Sequence, residues 1–156
     1  MISGEGTALV ACSPEEALAF VLDLERYRQA DTKIGRVRWV RRDGDEVVVR
    51  FRSWFLGLPG PLVTQRIRVT PGRRLDVRND PGTLAARLSE FEGVFTVEAV
   101  EGGTRISHRE SLRFPRAIAW FMERLLGAWL AKDTPAEVQR MKVLLEGRVM
   151  RSPPTG

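Results

Sequence analysis

Two side chains in the stretch TRISHRESLRF, Thr104 to Phe114, are suited to handling protons: His108, the lone histidine of the chain, and Glu110. In an extended strand, residues two apart share a face and lie roughly 7 Å from each other. Ile106, Leu112 and Phe114 share that parity, whereas Arg105, Ser107, Arg109, Ser111 and Arg113 take the other. The apolar set must face a core, so His108 and Glu110 are carried inward with it. Buried there, they need hydrogen-bond partners or water. An imidazole titrating near neutrality beside a carboxylate can bind a polar group of a ligand, or serve as base and acid. The plainer role is a satisfied pair that braces the sheet, or one that points to solvent at a strand end. His108 and Glu110 are therefore the catalytic candidates.

No other catalytic signature accompanies them. There is no phosphate-cradling glycine loop, no G-x-S-x-G, no HExxH and no paired CxxC. One histidine and one cysteine leave zinc short of its usual ligands, so neither metal nor cofactor is expected. Cys12, at the end of a first strand, is expected to be buried and inert. Alone, it cannot form an internal disulfide, which points to a reducing, cytoplasmic setting.

The elements that must position these groups read as follows. GTALVAC is a short strand. SPEEALAFVLDLERY is a helix: Ser13 caps it, Pro14 takes its first turn, and Ser13 with Glu16 has capping-box spacing. RQADTKIG makes a second, short helix or turn. From Gly35 the apolar period becomes two, with turns at Asp43–Asp45, Pro71–Gly72, Pro81–Gly82 and Glu101–Gly103. Six strands result, an antiparallel meander with arginines on one face and apolar residues on the other. On the inner face the pattern places Trp39, Phe51, Phe55 and Phe95, with Ser53, Gln65 and, by parity with Trp39, Arg41. After Pro115 about 32 residues are helical, with an apolar stripe of Ile118, Phe121, Met122, Leu125, Trp129, Val138, Met141 and Leu145. Pro135 should kink or split this helix, and Thr134 could cap its second part. Phe121, Leu125 and Trp129 join the candidate apolar lining.

Bulk composition narrows the class. The 156 residues, 43% hydrophobic and 29% charged, suit one globular domain, 1–147, followed by a disordered tail, 148–156. No run is long enough to span a membrane, and MISGEGTALVAC lacks the basic and apolar segments of a secretory signal. The net charge of +5 rests on arginines spread along the chain among twenty acidic groups. No aromatic–basic reader motif accompanies them, which argues against a nucleic-acid partner.

The pieces ACSPEEALAFVLDLERY, FEGVFTVEAVEGGTRISHR and VQRMKVLLEG, in this order of elements, resemble the START/pollen-allergen-like superfamily and its polyketide cyclase/dehydrase-like branch, over nearly all of residues 5–147. The resemblance implies an α+β helix-grip fold: a curved antiparallel sheet of about seven strands around a long C-terminal helix, two short helices after strand 1, and an apolar cavity. It also gives a reading of SWFLGLPGPL, Ser53 to Leu62, a turn-rich segment carrying unusually large apolar residues. In plant hormone receptors of this fold a Gly-Leu-Pro loop closes over ligand. Gly57, Leu58 and Pro59 repeat that triplet, which adds Leu58 to the lining candidates. An apolar loop shut over an apolar cavity hides its side chains from water; a permanently packed hairpin tip or a dimer contact would do the same. The expected function is binding of a hydrophobic small molecule such as a lipid, polyketide or isoprenoid. The alternatives are a polyketide aromatase/cyclase, and a protein–protein module using the arginine-rich outer sheet or the Trp54 loop. The oligomeric state is left between monomer and dimer.

Overall fold

The computed structural model describes residues 1–149. Its seven strands are β1 (Ile2–Val10), β2 (Ile34–Asp43), β3 (Glu46–Phe55), β4 (Leu58–Thr70), β5 (Arg74–Asn79), β6 (Glu90–Val100) and β7 (Gly103–Arg113). They form one antiparallel sheet in the order β1-β7-β6-β5-β4-β3-β2. Helices α1 (Pro14–Leu22) and α2 (Leu24–Tyr27) follow β1, α3 (Leu84–Leu88) precedes β6, and α4 (Arg116–Val149) closes the described chain. This is the α+β helix-grip architecture, with one short helix, α3, that the sequence reading does not contain. Thr83 caps α3, its Oγ1 accepting from the Ala86 amide. The expected tail, 148–156, begins inside α4; residues 150–156 lie outside the described residues.

Period-two burial builds the inner wall. On β7, Thr104, Ile106, His108, Glu110 and Leu112 are buried and their neighbours are not. β1 is longer than expected and matches β7 residue for residue, from Ile2 opposite Leu112 to Val10 opposite Thr104. Its inward residues include Gly4 and Gly6, which let α4 lie directly on the strand. A Cβ on Gly4 would come within 2.1 Å of Thr134 Oγ1, and one on Gly6 within 2.6 Å of Pro135 Cα. Directly after β1, Ser13 and Glu16 complete both hydrogen bonds of a capping box at α1. Phe20 and Tyr27 then pack edge to face beneath the sheet.

Three expectations are corrected. First, β2 changes register between Val37 and Trp39, so that Val37 opposes inward Phe51 but Trp39 opposes outward Arg50. An extra residue in one strand flips the parity beyond it. Trp39 therefore faces outward, with the Arg41 guanidinium over its ring at 4.5 Å. Second, α4 is not split at Pro135 but is one helix from Arg116 to Val149. The proline removes one amide donor, the one for the Ala131 carbonyl, and the helix continues on either side of it. Third, the buried line of α4 is Leu126, Leu130, Thr134, Glu137, Val138, Met141 and Leu145. Leu125 and Phe121 belong to an adjacent stripe, one residue around the helix, and stand 47% and 59% exposed.

SWFLGLPGPL is not a long loop. β3 and β4 run up to a two-residue turn at Leu56 and Gly57, both with positive φ, as in the tight hairpins whose twist matches their strands. Leu56 at φ 53° is a costly conformation for a residue with a Cβ. Leu58 lies 68% exposed at the tip. Trp54 covers Gly35 on the outer surface. Among the described residues no helix is long and apolar enough to cross a membrane.

Candidate functional site

His108 and Glu110 project from the middle of β7 to the concave side, 2% and 1% exposed. The imidazole stacks on Phe95, its registered neighbour on β6, with ring centroids 3.7 Å apart and planes 4° from parallel. Its Nδ1 lies 3.2 Å from the Val94 carbonyl oxygen. A carbonyl only accepts, so Nδ1 is the protonated nitrogen. That leaves Nε2 facing two carboxylates, 3.5 Å from Glu137 and 3.8 Å from Glu110. These distances exceed a hydrogen bond but keep the charges strongly coupled.

Behind the pair stands a buried ionic network. The turn after α2 delivers Lys33, whose Nζ lies 2.7 Å from Glu137, 2.9 Å from Asp31, 3.1 Å from Glu110 and 3.2 Å from Asp133. The Tyr27 hydroxyl donates to Glu137, and Thr134 Oγ1 donates to Glu110 at 2.8 Å. Arg140 pairs with Asp133 at 3.1 Å. His108, Glu110 and Glu137, and likewise Asp31, Asp133 and Glu137, converge closely enough to suggest a cation site. Lys33 already puts an ammonium among these carboxylates, so the donor set does not fit a metal ion.

The shifts follow from this count of charges. For Lys33, burial opposes the ammonium, yet Asp31, Glu137 and the other carboxylates outweigh it and raise its pKa well above the ordinary value. Burial would raise Glu110, but Lys33 and His108 hold it well below the usual carboxylate range. Glu137, fully buried and facing Asp31 as well as Lys33, is pushed up to about 7. His108 is raised: burial disfavours the imidazolium, and Glu137 and Glu110 more than offset it. Burial, with Glu137, drives the Tyr27 phenol well up. The centre thus keeps a proton on the His108–Glu137 side near neutral pH, beside a Glu110 that stays ionised.

This network is the floor of a cavity of about 100 Å³, contributed by Tyr27, Asp31, Lys33, His108 and Glu110. Its walls are Val21, Leu24, Phe51, Val63, Ile67, Val77, Phe91 and Phe95, and towards α3 it meets Ala85, Leu88, Phe55 and Pro61. Polar groups interrupt the wall at Ser53, Gln65 and Asn79. Space on this scale suits a single apolar ring. Larger ligands would have to spread the walls.

Of the residues named from sequence, Phe51, Ser53, Phe55, Gln65, Phe95, His108 and Glu110 stand around this cavity. Trp39, Leu58, Phe121, Leu125 and Trp129 do not. Trp129 instead packs edge to face against Phe55 from the far side, centroids 5.9 Å apart. Arg41 is outside with Trp39. Cys12 is half-buried, its thiol pKa raised by burial and by Glu16. Sequence reasoning missed Tyr27, Asp31, Lys33, Asn79 and Glu137. Glu137 had a signal, since it follows Thr134 by three and precedes Met141 by four on the buried side of α4. Lys33 had none: a lysine in a turn reads as solvated.

A sequence profile of the family described as "Polyketide cyclase / dehydrase and lipid transport" matches residues 1–146. No curated protein sequence matches the chain. Among solved structures, TTHA0849 from Thermus thermophilus superposes with a TM-score of 0.76 at 12% identity, over 94% of this chain and 98% of that one. The Zhui aromatase/cyclase from Streptomyces sp. R1128 does so with 0.70 at 15%, over 99% and 98%. The di-domain ARO/CYC StfQ of the steffimycin biosynthetic pathway gives 0.75 at 11%, over 96% of this chain and 52% of its own, so the present chain spans about half of it. At such identities the likeness is one of fold. The profile match over nearly the whole length carries the assignment: the chain belongs to the polyketide cyclase/dehydrase and lipid-transport family.

Proposed function

We propose that the protein binds a hydrophobic small molecule, such as a polyketide, lipid or isoprenoid, with a polar group of the ligand against the cavity floor. The supporting observation is the pairing of an apolar chamber with a buried, ionisable floor of Tyr27, Lys33, His108 and Glu110. Burying ionisable groups is costly unless they are paired, and apolar pockets with a few convergent polar groups are how ligand sites are built. Calorimetric titration with 4-ethyltoluene, a single-ring apolar probe, tests this. The wild type should bind it in the cavity, and Val63→Trp, which fills the chamber from the wall, should weaken binding at least about tenfold while the fold is retained. Equal binding by both would place the probe elsewhere and remove the support.

A second reading, an aromatase/cyclase-type enzyme, draws on the His108–Glu137 proton. A base that takes a proton from the carbon between two ketones, and an acid that returns one to the carbonyl oxygen, are what aldol closure of a poly-ketone requires. His108 can fill either role, losing or gaining a proton at Nε2, while ionised Glu110 steadies its imidazolium and the walls supply orientation. His108→Gln should lower turnover of a poly-ketone substrate by about 10²-fold or more with little change in affinity. Unchanged turnover removes the catalytic role.

A further inference from the structure

One atom of the cavity wall is left without a partner. Asn79 ends β5 with its side chain on the same face as Val77, and both border the cavity. Its Nδ2 donates to the Ser89 carbonyl at 3.1 Å. Because a carbonyl cannot donate, this bond fixes the amide orientation and directs Oδ1 the other way. Oδ1 is buried and, among the described residues, is the one buried side-chain polar atom without a hydrogen-bond partner. Directly across, Gln65 on β4 is the registered neighbour of Asn79 and also borders the cavity. Paired residues on one face bring their Cβ atoms to about 5 Å, so the two side chains leave the wall at neighbouring points.

An orphaned buried acceptor destabilises the protein unless something donates to it. None of the floor groups reaches it. We propose that Gln65 and Asn79 form a hydroxyl-recognition subsite, separate from the ionic floor, that takes an alcohol, phenol or enol of the ligand. The hydroxyl proton is donated to Asn79 Oδ1, and the hydroxyl oxygen accepts from the Gln65 amide. A carboxamide pair serves this better than a charged residue, since it supplies one acceptor and one donor without a preference for an ion. The assignment rests on the cavity being the ligand site. It narrows the ligand to a molecule with a hydroxyl on the β4–β5 side, distinct from whatever polar group meets His108.

A matched pair of single-ring probes tests it. 4-Ethylphenol and 4-ethyltoluene have nearly the same shape and differ in whether they can donate a hydrogen bond. Affinities of both are measured by calorimetric titration for the wild type and for Asn79→Leu, which removes the acceptor at similar volume, with thermal unfolding confirming that the variant is folded. The subsite predicts that the ratio of 4-ethylphenol to 4-ethyltoluene affinity falls about five- to tenfold in Asn79→Leu, while 4-ethyltoluene binds the variant at least as well as the wild type. If both probes bind and the ratio is the same in the two proteins, the subsite is overturned while the cavity stands as the ligand site. Should neither probe bind the wild type, the cavity reading and the subsite fall together. If Asn79→Leu does not fold, Gln65→Leu replaces it, with the same change of ratio required.

Discussion

Lys33 holds the site together. It is one ammonium among four carboxylates, three of them buried and Asp133 half-buried, and removing a partner from such a cluster costs more than the pairing itself gains. Lys33→Met should therefore lower stability at pH 7 by about 3 kcal/mol or more in denaturant unfolding, and by less at pH 5, where protonation relieves the carboxylates. The two glutamates pull the pH dependence in opposite directions. Glu110, held low, stabilises the fold above its unfolded value of 4.5, and this is lost as pH falls. Glu137, raised to about 7, stabilises the protonated fold below about 4.5, and that contribution is lost as pH rises through 7. Glu137→Gln, neutral throughout, should cancel the loss between pH 5 and pH 8, on the order of 1 kcal/mol or more; a wild-type slope left intact in the variant would reassign it. His108 and Glu110 were legible because a strand's parity ties them to Ile106 and Leu112. Lys33 was not, because its burial is decided by carboxylates from β7, α4 and its own turn, all of which meet only in the folded chain.

At the scale of elements, the closest fit is between β1 and α4. Gly4 and Gly6 bring strand and helix together, and Thr134 sits at the contact, donating to Glu110. Gly4→Ala should cost about 1–3 kcal/mol by thermal or chemical unfolding, because the new Cβ overlaps Thr134 and the Leu130 carbonyl. Its effect should reach the floor as well, as a weaker coupling of the Glu110 environment seen in the side-chain NMR titration of His108. A neutral Gly4→Ala would mean that the strand and helix are less tightly apposed. Most of the meander was readable from alternation and turn residues. Three features were not: the register change in β2, which reverses Trp39; the continuity of α4 through Pro135; and the choice between two adjacent apolar stripes on that helix. Each depends on the neighbour the element meets, and local pattern is silent on neighbours.

The molecule as a whole is a sheet wrapped on one helix, with an ionic cluster where they join and an apolar chamber beside it. The cluster and the chamber share Tyr27, Asp31, Lys33, His108 and Glu110, so the same groups that fasten α4 to the sheet also face any bound molecule. The general fold was readable from the order of elements. The chamber's boundary was half readable, because inward strand residues were placed well and helix residues were not. The central claim is that this chamber holds a hydrophobic molecule. Native mass spectrometry on protein purified gently from its source, compared with the same sample after denaturation, tests it most directly. The account predicts an added mass that leaves on denaturation and is an apolar compound bearing at least one polar group. Protein that is repeatedly empty, and that single-ring probes fail to occupy, would contradict it.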